Sequence, residues 1–182
     1  MQVERLRLPE VVRLTPRRFS DDRGWFAETY NQRAVDDAIG ARVRFVQDNH
    51  SRSAKGVLRG LHFQLPPHAQ GKLVRVLRGA VLDMVVDVRR SSTTFGQWVS
   101  AELTEENRAQ LWIPAGFAHG FLSLADGTEV LYKTTEFWAP EAERSLRWDD
   151  PALALPWPRK LTPLLTSKDA GAPGLSSAEV FE

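Results

Sequence analysis

The 182-residue chain contains no cysteine, two methionines, two tyrosines and four histidines. Without cysteine there is no disulfide framework, no thiol nucleophile and no thiolate metal site. An excess of one charge is also missing, since 24 Lys and Arg stand against 23 Asp and Glu for a net charge of +1. A nucleic-acid binder shows a strongly basic face, so no nucleic-acid partner is expected. Any anion the protein holds must then be held by a local cluster. No stretch approaches the roughly 18 apolar residues of a membrane helix. Met1-Gln2-Val3-Glu4-Arg5 has no apolar secretory segment. These absences predict a cytoplasmic, soluble chain without a membrane partner. Nucleotide-cofactor fingerprints are missing too. Gly71-Lys72 is followed by Leu73, and Pro66 stands where a phosphate loop needs its first glycine.

What is present is an ordinary globular composition, 42% apolar and 26% charged, which argues against disorder. The length suits one domain over residues 1–182. The dominant period is two. Leu82, Met84, Val86 and Val88 alternate with Val81, Asp83, Val85 and Asp87, which is strand spacing. Lys72 to Arg78 is a second such run, and Gly79 between the two predicts a hairpin. Further strands are read at Trp98–Leu103, Gln110–Ile113, Phe121–Ala125 and Glu129–Thr135, the last two joined as a hairpin by Asp126-Gly127. Only Gln32 to Ile39 reads as a helix, with Gly40 placed to end it. Many short strands with Gly and Pro turns predict an all-β sandwich, barrel or jelly roll with one or two short helices. Residues 151–182 are proline-dense and predict a wrapping segment. Residues 1–50 are read as N-terminal strands and loops. Of the six tryptophans only Trp138 is given a role, and the others are assigned to packing.

Two of the four histidines sit in informative settings. Gly56-Val57-Leu58-Arg59-Gly60-Leu61-His62-Phe63-Gln64 and Pro114-Ala115-Gly116-Phe117-Ala118-His119 resemble the two cupin motifs, G-x5-H-x-H and P-x-G-x2-H. In the metal-binding version three histidines and a glutamate hold the ion. Here Gln64 replaces the second histidine, and His68 and Ala69 stand where the glutamate is expected. A neutral amide is a poor substitute for imidazole at a transition-metal site, so no metal is expected. Arg59, His62 and Lys72 lie within a short span around a Pro66-Pro67 turn. Three such groups on adjacent strands predict a polar cleft, because buried polar groups need partners. Taken singly, each residue has a plain structural reading: a strand histidine, an exposed lysine, a packing tyrosine.

Read together, the motifs resemble the dTDP-4-dehydrorhamnose 3,5-epimerase family. They are Asp22-Arg23-Gly24-Trp25-Phe26-x-Glu28, Gln47-Asp48-Asn49-x-Ser51, Arg59-Gly60-Leu61-His62-Phe63-Gln64 and Gly71-Lys72-Leu73-Val74. Trp112-Ile113-Pro114-x-Gly116-Phe117-Ala118-His119-Gly120-Phe121 and Leu131-Tyr132-Lys133-Thr134-Thr135 follow in order. Trp148-Asp149-Asp150-Pro151 and Ser167-Lys168-Asp169 complete the set.

The resemblance implies a cupin-type jelly roll and a homodimer whose N-terminal strands exchange between subunits. It implies a dTDP-sugar substrate, dTDP-4-dehydro-6-deoxy-D-glucose, inverted at C3 and C5 without a cofactor. His62 matches the family's base, Asp169 its orienting carboxylate, Tyr132 the acid on the opposite face and Lys72 the residue beside the C4 oxygen. Arg23, Phe26, Glu28, Gln47, Asn49, Arg59, His119, Glu143 and Lys168 match substrate-binding positions, and Trp138 the aromatic that stacks on thymine. One departure is local: Glu136-Phe137-Trp138 stands where the family commonly has Asp-Tyr-Tyr. Three other readings stay open on the residues. These are a single-site epimerase of a deoxysugar pathway, a non-catalytic nucleotide-sugar-binding jelly roll, and a metal cupin.

Overall fold

A computed structural model describes residues 1–158 and 162–182; part of the expected wrapping segment, residues 159–161, lies outside the described residues. The strands are β1 (Gln2–Arg5), β2 (Val12–Thr15), β3 (Phe19–Asp21), β4 (Gly24–Phe26), β5 (Gln47–Ser53), β6 (Leu58–Gln64) and β7 (Lys72–Arg78). They continue with β8 (Ala80–Asp87), β9 (Trp98–Thr104), β10 (Gln110–Ile113), β11 (Phe117–Ser123), β12 (Thr128–Thr134) and β13 (Glu143–Ser145). Two helices are described, α1 (Gln32–Ile39) and the single turn α2 (Ser167–Ala170). The first is bounded as the sequence predicts. Asn31 caps it by accepting from the Ala34 amide, and Gly40 ends it at φ 74°.

Two antiparallel sheets face each other as a cupin-type jelly roll. One has the order β1-β2-β10-β7-β12-β5, the other β13-β6-β11-β8-β9. Alternation along each strand divides the apolar residues between faces. Val74 and Val76 of β7, Val130 of β12, Val81 and Val85 of β8, and Phe117 and Phe121 of β11 meet between the sheets. The outer face of the six-stranded sheet buries Leu14, Leu73 and Trp112 against Val35 of α1. The outer face of the five-stranded sheet packs Leu61, Met84 and Val86 against Leu153, Ala178 and Val180 from the C-terminal stretch.

The two expected hairpins are corrected by this topology. β7 pairs with β10 and β12, whereas β8 pairs with β9 and β11, so Gly79 carries the chain from one sheet to the other. β11 and β12 also lie in opposite sheets, and Asp126-Gly127 turns a corner between layers. The reason is physical. A two-residue period fixes which side of a strand is buried, and a tight Gly turn is equally suited to a corner. Neither encodes the hydrogen-bonding partner. Trp25 is a further correction, being 60% exposed rather than packed.

Close backbone approach between β6 and β11 positions the interior. Their register sets His119 opposite His62 and shifts before Phe121. Gly60 has φ 118°, and a Cβ there would lie 2.6 Å from the Gly120 Cα and 2.7 Å from the His119 carbonyl oxygen. Gly60→Ala therefore combines positive-φ strain with a backbone clash. It should cost roughly 2–5 kcal/mol in urea unfolding. Gly56→Ala is the control. Its φ is 85° with open space around the added Cβ, so it should cost only about 1–2 kcal/mol. Equal costs at the two sites would show that the close approach is unimportant.

Candidate active site

Between the sheets lies a cavity of about 310 Å³ lined by Ser51, Arg59, His62, Lys72, His119, Phe121, Tyr132, Thr166, Lys168 and Asp169. A smaller adjoining space is lined by Gln47, Asn49, Gln70, Trp138 and Glu143 and shares His62, Lys72 and Tyr132. The polar cleft expected from Arg59, His62 and Lys72 is present, though its walls are opposing sheets rather than adjacent strands. β6 supplies Arg59 and His62 from one side, and β7 and β12 supply Lys72 and Tyr132 from the other.

His62 Nε2 is hydrogen-bonded to Asp169 Oδ1 at 2.5 Å. The carboxylate is almost fully buried, and the imidazole is partly open to the cavity. Asp169 is held in place by its own helix, since Thr166 caps α2 by accepting from the Asp169 amide at 3.2 Å. Burial opposes its ionisation, but the His62 hydrogen bond and charge, with Thr166 and the Gly60 amide, outweigh burial and hold the carboxyl below its usual range. Asp169 is thus an anion at neutral pH. Because it occupies Nε2, Nδ1 is the ring nitrogen left to take a proton.

On the opposing wall, Lys72 Nζ donates to the His62 carbonyl oxygen at 3.2 Å. Burial lowers its pKa to about 8, with Lys168 pulling the same way and Glu143 and Asp83 resisting. Burial likewise raises the Tyr132 phenol, helped by Glu143 and opposed by Arg59. A raised phenol stays protonated at neutral pH, which is the state of a proton donor. Glu143 pairs with Lys168 at 2.5 Å. Burial works against its charge, but the Lys168 ammonium prevails and the carboxyl lies below its ordinary value.

Behind the cavity His119 Nε2 is 2.9 Å from Asp83 Oδ2, and both residues are buried. The other carboxylate oxygen, Oδ1, is buried without a partner among the described residues. Burial pushes the Asp83 carboxyl up against the pull of His119 and Lys72. Among the described residues no group of three His, Asp or Glu side chains converges on a point fit for an ion.

Most of the residues expected from sequence meet here: His62, Lys72, Tyr132, Asp169, Arg59, His119 and Lys168 around the larger space, and Gln47, Asn49, Trp138 and Glu143 around the smaller. Three do not. Arg23 and Phe26 sit on the exposed β3–β4 hairpin, where Arg23 pairs with Asp21 at 2.6 Å. Glu28 is a partner of the Asn31 side chain at 3.3 Å instead. Sequence reading missed Thr166, Phe121, Gln70, Ser51 and Asp83. Ser51 follows Gln47 and Asn49 at a spacing of two, and Asp83 interrupts an apolar strand; both were available signals.

The electrostatics yield one direct test. In a ¹³C-lysine NMR titration, one lysine should titrate near pH 8 and vanish in Lys72→Met. Glu143→Gln should move that value lower, because removing a nearby anion disfavours the ammonium form. An unchanged or raised value contradicts the assigned charge arrangement.

Known proteins match this chain over nearly its whole length. The family model described as dTDP-4-dehydrorhamnose 3,5-epimerase matches residues 5–177. A Pseudomonas aeruginosa dTDP-4-dehydrorhamnose 3,5-epimerase is 56% identical, covering 100% of this chain and 99% of its own. The Salmonella typhimurium protein of that name is 51% identical with 100% of both chains covered. Among solved structures, a Legionella pneumophila dTDP-6-deoxy-D-glucose-3,5-epimerase in complex with dTDP-4-keto-L-rhamnose superposes with a TM-score of 0.93 at 45% identity, covering 97% of this chain and 93% of that one. With a carboxylate-backed histidine, a half-buried lysine and a protonated tyrosine facing one cavity, and with matches of this extent, the chain belongs to the dTDP-4-dehydrorhamnose 3,5-epimerase family.

Proposed function

We propose that the chain epimerises dTDP-4-dehydro-6-deoxy-D-glucose at C3 and C5 to dTDP-4-dehydro-L-rhamnose, with His62 as base and Tyr132 as acid. The observation that carries the assignment is their placement on opposing walls of one cavity, with Asp169 behind the base. C3 and C5 both flank the C4 ketone. Removing either proton leaves an enolate whose charge sits on the C4 oxygen, so the substrate is its own electron sink. His62 takes the proton from one face and becomes an imidazolium, stabilised by Asp169. Tyr132 returns a proton from the other face and is left as phenolate. Exchange with water resets both groups before the second carbon reacts.

General base catalysis supplies roughly 10²- to 10⁴-fold, or about 3–5 kcal/mol. That is too little for a carbon acid without stabilising the enolate, and a placed donor adds about 3–4 kcal/mol. The Lys72 ammonium is the donor assigned to the C4 oxygen. Arg59 is assigned to the diphosphate, whose oxygens match a guanidinium fork. Trp138 is assigned to the base. Its ring is 59% exposed and so has a face free for stacking.

The N-terminal hairpin supports a homodimer in which strands cross between subunits. Phe19, Trp25 and Phe26 are 51%, 60% and 69% exposed, an apolar surface with no cover in one chain. Arg23 stands beside them, away from its own cavity. In this reading Arg23, Phe26 and Glu28 reach the site of the second subunit.

Two experiments test these roles. Proton NMR of the substrate in D₂O should show deuterium entering C3 and C5 with the native protein. His62→Ala should lose exchange by about 10²-fold or more, while Tyr132→Phe keeps exchange but makes no inverted product. Full exchange in the first variant, or normal inversion in the second, removes the corresponding assignment. For assembly, Arg23→Ala and His62→Ala proteins should each be impaired, yet regain about a quarter of native activity after subunit exchange. Half of randomly mixed dimers are heterodimers, and one of their two sites is whole. No recovery in verified heterodimers rules out a shared site.

A further inference from the structure

Gln64 occupies the position that metal cupins give to a histidine, and nothing in the proposed chemistry uses it. Its side chain is nonetheless fully occupied. Gln64 is 3% exposed and lies on β6, two residues beyond His62. Its Nε2 donates to the His68 carbonyl at 2.6 Å and to the Phe137 carbonyl at 3.1 Å. Its Oε1 accepts from the Ala139 amide at 3.0 Å. The orientation of the carboxamide is fixed by chemistry, since the reverse would set oxygen against two carbonyls and NH₂ against an N–H. A neutral imidazole has one donor and could not make all three bonds.

The bonds from Phe137 and Ala139 bracket Trp138. This loop has little else to hold it by packing, because Phe137 and Trp138 are 61% and 59% exposed. Its backbone is tied by amides instead. Gln47 Oε1 accepts from the Trp138 amide at 3.1 Å, and Gln70 Nε2 donates to the Glu136 carbonyl at 2.6 Å. Gln64 is the most buried of these ties, so it has the least freedom to move. An exposed ring can present a stacking face in one place only if its backbone is fixed.

We propose that Gln64 is a positioning residue for nucleotide binding: its carboxamide clamps the Phe137–Ala139 backbone to β6 and so sets the Trp138 ring where it stacks on the base. This rests on the reading of Trp138 as the base-stacking residue, and the test separates the two claims.

The probe is dTDP, measured by calorimetry alongside KM and kcat for the full substrate. Base stacking on an aromatic is worth enough that Trp138→Ala should weaken dTDP by about tenfold. Gln64→Met should weaken dTDP and raise KM by a similar factor, about tenfold, with kcat changed less than about threefold. The double variant should bind dTDP no more than about twofold worse than Trp138→Ala alone, since both changes remove one interaction. Multiplying losses, unchanged dTDP affinity in Gln64→Met, or a loss confined to kcat each overturn the clamp while leaving Trp138 in its role. Unchanged affinity in Trp138→Ala overturns the stacking reading and the clamp with it. Should Gln64→Met fail to fold, Gln64→Glu is read the same way. It keeps the volume and the Ala139 bond but turns an acceptor toward two carbonyls.

Discussion

The contact on which the site depends is the hydrogen bond between His62 and Asp169, made across 107 residues of sequence. It joins β6 to α2, and the Gly60 amide adds a second tie between the same two elements. The bond does several things at once. It fixes the imidazole plane, occupies Nε2 so that Nδ1 is the other ring nitrogen, and sets a buried carboxylate beside the ring. The carboxylate would be costly to bury alone. Its burial is supported by the cap at Thr166 and by the histidine it serves.

Around that pair the charges are arranged in opposition. Lys72, Arg59 and Lys168 face the cavity, while Asp169, Glu143 and Asp83 stand beside or behind them. Each anion has a partner of its own: Asp169 pairs with His62, Glu143 with Lys168 and Asp83 with His119. Lys72 takes only a carbonyl as its hydrogen-bond partner among the described residues. Arg59 likewise takes only neutral partners, the Ser53 hydroxyl and the Arg52 carbonyl, so these two cations, unlike Lys168, have no paired carboxylate among the described residues. With no carboxylate paired to Lys72, burial lowers its pKa to about 8 even though Glu143 and Asp83 resist.

Much of the lining of the cavity was legible in the sequence because it rests on residue identity in ordered motifs. The strands of the core were legible for a different reason: β7, β8, β9 and β10 alternate or run apolar, and their bounds follow from that pattern. β5 was harder to read as a strand, since the residues it turns inward are Gln47, Asn49, Ser51 and Ser53, and a polar interior erases hydrophobic alternation. Strand partners were not legible at all. Gly79 and Asp126-Gly127 look like hairpin turns, and only the docking of two sheets makes them corners. Nor could sequence show that Arg23 and Phe26 stand apart from the cavity of their own chain, because a motif carries chemistry without carrying distance.

The corners at Gly79 and Asp126-Gly127 have a kinetic corollary. Since each sends successive strands to opposite layers, no contiguous stretch of chain can build a wall of the cavity by itself. Long loops must close before their contacts are rewarded, which slows assembly in topologies of this kind. A half-docked chain would carry an unoriented imidazole and no enclosed space for a sugar. Competence therefore requires the two layers to meet.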